Sequence, residues 1–356
     1  MCDISGLDNR NITGARTVPV AKAVGMIIAH DITEIRPDEF KGCAFRKGHV
    51  IREEDICHLQ RLGKENLFIL EIKEDEMHEN NAAYAIADAL AGEGVKLEGE
   101  PHEGKINLVA ERDGLLKVDR EALLQFNMLG EVMCATAHNN SVVKKGQIVA
   151  GTRAIPLVVK KSIVEDAVKI AETAKGILSI REMRRPKAGI VITGNEVYYG
   201  RIKDAFASVM TNKIMHMNGE IIGIYFAPDD AKYIEDRIKE LIAAGADLII
   251  TTGGMSVDPD DVTRFAIRNI GVEEITYGSP VLPGAMFLIA YRGEIPILGI
   301  PACGMYADIT IFDLILPRVL AGEKIGRREL AELGHGGLCL KCGECSYPHC
   351  PFGKGI

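Results

Sequence analysis

The chain has 356 residues, with 42 Lys+Arg against 50 Asp+Glu and a formal net charge of −8 at pH 7. At 47% hydrophobic and 26% charged residues it has the composition of a globular protein, which excludes wholesale disorder and a small disulfide-stapled scaffold. There is no dense Lys/Arg tract, no run of about 18 apolar residues and no secretory leader pattern at the start. The expectation is a cytoplasmic protein with neither nucleic acid nor membrane as a partner.

Residues 1–74 mix helix and strand signals. Apolar Ile51, Ile56, Leu59 and Leu62 recur as one helical face would, Gly63 supplies a stop, and 67–72 reads as a strand. Residues 75–185 read as a β-rich module with a connecting helix. A helix is expected over 79–90, and the segments KINLVAER (105–112) and LLKVD (115–119) flank Asp113-Gly114 as the arms of a hairpin would. The stretch 141–159 continues in β style, with Gly146 and Gly151 as turn points.

From Pro186 the pattern becomes an α/β alternation. Strands are expected over 189–193, 220–226 and 246–254, and helices over 205–217 and 229–244, with another helix opening at Asp258-Pro259. A hairpin over 287–300 and a helix over 306–320 complete the region. Strands alternating with helices predict a parallel sheet covered on both faces. The expected fold class is α/β, with a doubly wound, mostly parallel sheet over 186–322. Smaller mixed α+β and β-rich modules precede it, and a Cys-rich tail over 323–356 follows.

Ligands of open α/β sheets bind beyond the carboxyl ends of the strands. Three segments stand there: Thr193-Gly194-Asn195-Glu196 running to Asp204, Pro228-Asp229-Asp230, and Thr251 to Asp261 in TTGGMSVDPDD. Glycines admit a ligand close to the backbone, helix starts suit phosphate, and clustered carboxylates suit a hard divalent cation. The residues describe a site for a phosphorylated ligand plus Mg²⁺, against the plainer reading of tight turns in which Asp229 and Asp261 cap helices.

On TGNEV, GRIKD, Asp229-Asp230, TTGGMSVDPDD, Leu282-Pro283-Gly284 and GIPACGMYA (299–307), the region from about 186 to 322 resembles the molybdopterin-binding domain. That domain is shared by molybdopterin molybdenumtransferases and molybdopterin adenylyltransferases. VPVAKAVGMIIAHDI (18–32) is similar to the opening of the molybdenumtransferases. The resemblance implies that adenylylated molybdopterin is hydrolysed, AMP leaves, and molybdate is placed on the dithiolene sulfurs. By position Glu196, Asp229 and Asp261 match the family's acidic functional residues and would hold Mg²⁺. Thr193, Gly194, Asn195, Asp204, Thr252, Gly253, Gly254, Ser256, Asp258, Pro301 and Cys303 are the expected ligand contacts. The resemblance also implies a homo-oligomer, with a molybdoenzyme or another protein of the cofactor pathway as a candidate partner.

The chain departs from the molybdenumtransferase pattern. Gly42-Cys43-Ala44-Phe45 replaces a segment carrying a functional aspartate, and Pro301-Ala302-Cys303-Gly304 replaces PGNP. No counterpart of the Met-Thr-Gly segment or of the C-terminal β-barrel is read. These differences raise a second reading, a molybdopterin-binding carrier or sensor without turnover. A third is a nucleotide-dependent enzyme of the related competence-damage type.

Nine cysteines are present, and Cys339, Cys342, Cys345 and Cys350 form C-x2-C-x2-C-x4-C-P. Four thiolates so close together match the tetrahedral needs of Zn²⁺ or an iron–sulfur cluster, with His335 and His349 as substitute ligands. Redox-active thiols or an inert tail are the alternatives.

Overall fold

The computed structural model describes residues 15–36, 40–70, 72–255 and 262–355. The contacts divide the chain into two compact units. The first takes residues up to Arg112 with Lys117–Ala137 and Val143–Ile180. The second takes Asp113–Leu116, His138–Val142 and the chain from Arg181.

In the first unit Ala15–Pro19 pairs antiparallel with Asn66–Leu70, and Ile32–Arg36 with Phe40–Phe45. Val18, Val20, Ile28, Ile51, Leu59 and Leu67 bury a small core between them. A four-stranded antiparallel sheet runs in the order Val95–His102, Lys105–Ala110, Ile148–Ala154, Val132–Thr136. The helix Glu79–Leu90 packs Ala83 and Ala87 on Ile106 of that sheet, and its start is capped by His78 Nδ1, which accepts the Asn80 N–H at 3.1 Å.

One expected pairing is corrected. Lys105–Ala110 and Gly114–Val118 form strands, but they lie in different sheets and make no hairpin. Leu115 and Leu116 are both fully buried, so this strand is covered on both faces, where a half-exposed hairpin arm would alternate. Leu116 instead exchanges backbone hydrogen bonds of 2.9 Å with Asn140 and Ser141.

The second unit carries the parallel sheet. Its elements are β1 (Lys187–Thr193), α1 (Asn195–Tyr198), α2 (Phe206–His216), β2 (Glu220–Ala227), α3 (Ala231–Ala243), β3 (Leu248–Thr252) and α4 (Thr263–Asn269). They continue with β4 (Glu274–Tyr277), β5 (Leu288–Arg292), β6 (Ile295–Ile300), α5 (Ile311–Leu320) and α6 (Arg327–Glu332). The strand order is β2–β1–β3–β6–β5–β4. β2, β1, β3 and β6 pair parallel, whereas β5 pairs antiparallel with both β6 and β4.

Alternation along the strands assigns the two faces. Ile190, Ile192, Leu248, Ile250 and Leu298 pack with Phe206, Met210 and Ile214 of α2 and with Ile311, Phe312 and Ile315 of α5. Val191, Ile249 and Ile297 pack with Ile234, Ile238 and Leu241 of α3 and with Ala266 and Ile267 of α4. Helices therefore cover both faces, and the sheet is doubly wound. Local chemistry fixes the helix starts. Asp230 accepts the Tyr233 N–H at 2.8 Å to cap α3, and Thr310 with Asp313 forms a capping box on α5.

The chain after α5 is built into this unit. Leu330 and Phe352 are buried in the same core as α2 and α5, and Tyr347 and Cys350 pack against it. The Leu282 N–H donates to the Gly337 carbonyl and the Cys339 N–H to the Leu282 carbonyl, both at 2.8 Å. No helix among the described residues is long and apolar enough to cross a membrane.

Candidate functional site

β2 and β3 leave β1 on opposite sides, so the strand order reverses between β1 and β3. In open α/β sheets that switch point opens the crevice beyond the carboxyl ends of the strands. A cavity of about 770 Å³ lies there, lined by residues following β1, β3 and β6.

The walls can be built from the strand ends outward. β1 ends on buried Thr193, whose hydroxyl donates to the Thr252 carbonyl at 2.9 Å, so the 3.0 Å bond it shares with the Thr263 hydroxyl is donated by Thr263. This ties the ends of β1 and β3 to the start of α4. Gly253 and Gly254 then turn the chain with φ of +83° and +57°. A Cβ on Gly253 would lie 2.4 Å from the Thr193 carbonyl oxygen, and one on Gly254 2.3 Å from the Thr263 hydroxyl. Only glycine fits both the conformation and the space. The next residue, Met255, is buried, and its carbonyl accepts the Tyr277 hydroxyl at 2.6 Å.

After β1 the chain enters α1 through Gly194, over which the Glu196 carboxylate lies, 2.6 Å from where a Cβ would be. Asn195 and Asp229 clamp the first two loops together. The Asn195 N–H donates to Asp229 Oδ2 at 2.9 Å, and the Asp229 N–H donates back to Asn195 Oδ1 at 3.2 Å. Asp204 accepts the Phe206 and Ala207 N–H groups, one on each carboxylate oxygen at 2.9 Å, and so caps α2. Cys303 sits in the 3-10 turn after β6, and burial pushes its thiol above the ordinary value.

Of the residues expected at the site, Thr193, Glu196, Asp204, Gly253, Gly254, Pro301 and Cys303 line the cavity. Gly194, Asn195, Thr252 and Asp229 support it from behind, and helix capping in the second loop falls to Asp230 rather than Asp229. Ser256, Asp258 and Asp261 lie outside the described residues. Near the other end of the chain, Gly42 and Cys43 stand on a strand, and Cys43 is exposed.

The sequence reading missed Lys203, Met255, Met286, Leu338, Cys339 and Lys341 as lining residues. Lys203, Met255 and Met286 carry no chemistry that spacing flags. The last three stand in the tail, whose docking depends on side chains far apart in sequence.

The tail cysteines are not gathered into one center. Cys339 and Cys350 are half-buried against the core while Cys342 and Cys345 are exposed. Among the described residues no group of three or more His, Cys, Asp or Glu side chains converges to hold a metal ion, at the tail or at the cavity. Backbone bonding to Leu282 places Cys339 at the cavity wall.

Residues 189–321 match the family model described as "Probable molybdopterin binding domain", and 17–71 match a family described only as a domain of unknown function. The second unit therefore carries a domain of the molybdopterin-binding family. A CinA-like protein of Mycobacterium sp. (strain MCS) is 36% identical over 89 residues, 25% of this chain and 21% of that protein. A protein of Pyrobaculum calidifontis is 32% identical over 91 residues, 25% of this chain and 34% of its own length. The chain thus spans about a fifth to a third of these curated relatives. Among solved structures, the molybdopterin biosynthesis enzyme MoaB of Thermus thermophilus is similar at 19% identity and a TM-score of 0.34, over 39% of this chain and 98% of that one. The CinA protein of Thermoplasma acidophilum is similar at 15% identity and a TM-score of 0.34, over 38% and 98%.

Proposed function

We propose that the chain acts in molybdenum cofactor formation, binding adenylylated molybdopterin in the cavity beyond β1, β3 and β6 and releasing AMP as molybdate is placed on the dithiolene. The observation that carries the binding is the Gly253-Gly254 turn at the switch point, within the segment that matches the molybdopterin-binding family. The two glycines let the chain turn tightly against Thr193 and Thr263, which sets the end of β3 at the wall of the cavity. Glu196 lines the same cavity, and among the described residues no backbone N–H donates to its carboxylate, which leaves it able to face Mg²⁺ or an attacking water.

A second reading, binding without turnover, is supported by Asp229. One oxygen of that carboxylate is committed to the Asn195 amide, and the residue does not line the cavity. A third reading is a nucleotide-dependent enzyme of the competence-damage type, beside which stands the 36% identity to a CinA-like protein over 89 residues.

Incubating the protein with adenylylated molybdopterin, Mg²⁺ and molybdate separates the three. AMP release with molybdenum on the pterin is the expected result. Pterin bound but still adenylylated means the carrier. A free nucleotide bound in place of the pterin removes the molybdopterin reading.

A further inference from the structure

We propose that the segment Leu338–Lys341 is a ligand-contacting wall of the cavity, which sets Cys339 across the same cavity from Cys303 and gives the site an additional cation, Lys341. The placement comes from backbone geometry. Leu338 bridges Leu282 in parallel register, and the two flanking 2.8 Å hydrogen bonds, from Leu282 to Gly337 and from Cys339 to Leu282, hold the segment along the Leu282-Pro283-Gly284 turn. That turn itself lines the cavity through Leu282, Pro283 and Gly284. The segment is anchored before and after: buried Leu330 precedes it, and buried Phe352 with the 2.9 Å bond from Gly353 to Gly336 follows it.

The chemistry of this wall differs from that of the glycine loops. Leu282 and Leu338 are 55% and 60% exposed, so the turn and the segment together present an apolar lip. A lip of this kind suits a flat ring system more than open water. Lys341 and Lys203 both line the cavity, and no ion pair or hydrogen bond among the described residues ties either one, so both ammonium groups are available to an anion such as a phosphate. Five sulfur-bearing residues, Cys303, Cys339, Met255, Met286 and Met305, complete the lining. Such a polarizable surface makes favorable contacts with an aromatic ring. In this arrangement Cys339 faces the ligand and is separated in role from the exposed Cys342 and Cys345.

The wall needs no ligand to be tested, while its contact with the pterin rests on the function proposed above. The reduced full-length protein is treated with a bis-maleimide whose arm is long enough to span the cavity, and the linked peptides are mapped. A Cys303–Cys339 link is expected. Links confined to the tail cysteines overturn the wall. Adenylylated molybdopterin should then slow iodoacetamide labelling of Cys303 and Cys339 but not of Cys342, and Lys341→Glu should weaken pterin binding about tenfold or more, the loss of one charged hydrogen-bond partner. Lys324→Glu, at an exposed pair with Glu274 outside the cavity, serves as the control and should bind as wild type. Unchanged Cys339 labelling and an unchanged Kd for Lys341→Glu, in protein that binds the pterin, overturn the ligand contact. If wild-type protein forms the thiol link but fails to bind pterin, the proposed function falls and the wall stands.

Discussion

The glycine loop after β3 and the segment Leu338–Lys341 reach the same cavity by opposite means. At Gly253 and Gly254 position is fixed by exclusion, since a single added methyl group would collide with Thr193 or Thr263. At Leu338–Lys341 position is fixed from outside, by core residues on either side and by two backbone bonds to Leu282, while the side chains stay exposed. A wall held the first way tolerates almost no change in sequence, and one held the second way tolerates change at the ligand face as long as its anchors remain. The sharpest way to break this comparison is at an anchor. Phe352→Ala removes a buried aromatic side chain and should cost about 3–5 kcal/mol in urea unfolding, as core phenylalanines do. A variant that unfolds at the wild-type urea concentration would mean that the tail is an appendage.

The next effects concern the loops. Gly253→Ala should lose about 1–3 kcal/mol through backbone strain alone and abolish ligand binding, because the new methyl group must displace the Thr193 carbonyl. Gly245→Ala is the matched control, with φ at +97° but nothing within 4 Å, so it carries only the conformational cost. Equal losses in the two variants would show that the contact with Thr193 matters little. Asp229→Ala removes the acceptor of the Asn195 amide and should cost about 1–3 kcal/mol, whereas Asp229→Asn keeps an oxygen there and should melt close to wild type. The brace assignment fails when both variants melt as wild type does.

Much of the second unit is legible in the sequence because its strands are buried runs separated by helices, a pattern that depends on near neighbors. The expected strand over 220–226 is found at Glu220–Ala227, and the expected helix over 205–217 at Phe206–His216. The fold class follows from that alternation, and so does the place of the cavity. What stays hidden is set by residues far apart in the chain. Asp113-Gly114 reads as a hairpin turn, yet the buried pair Leu115 and Leu116 directs its strand into another sheet. Cysteine spacing says nothing of the cavity, yet a backbone bond to Leu282, remote in sequence, sets Cys339 at its wall. Asp229 and Asp230 are indistinguishable in composition. Only the loop geometry shows that the first braces Asn195 while the second caps α3.

The smallest effect at neutral pH becomes the most specific report on the docked tail at alkaline pH. Tyr347 is pushed up to about 12, first by burial and then by the neighboring Asp313 and Cys350. An unfolded tyrosine ionizes near pH 10. Below that pH both states keep the proton and the side chain's contribution is fully present. Between about 10 and 12 the unfolded chain gives up its proton while the fold retains it, so stability falls as pH rises through this window. Tyr347→Phe should flatten that part of the pH–stability curve and leave neutral stability nearly unchanged, and the difference in tyrosinate absorbance between the two proteins should titrate near 12. A tail that leaves the core would expose Tyr347 and bring that titration back to about 10, even if the sheet and its glycine loops remained intact.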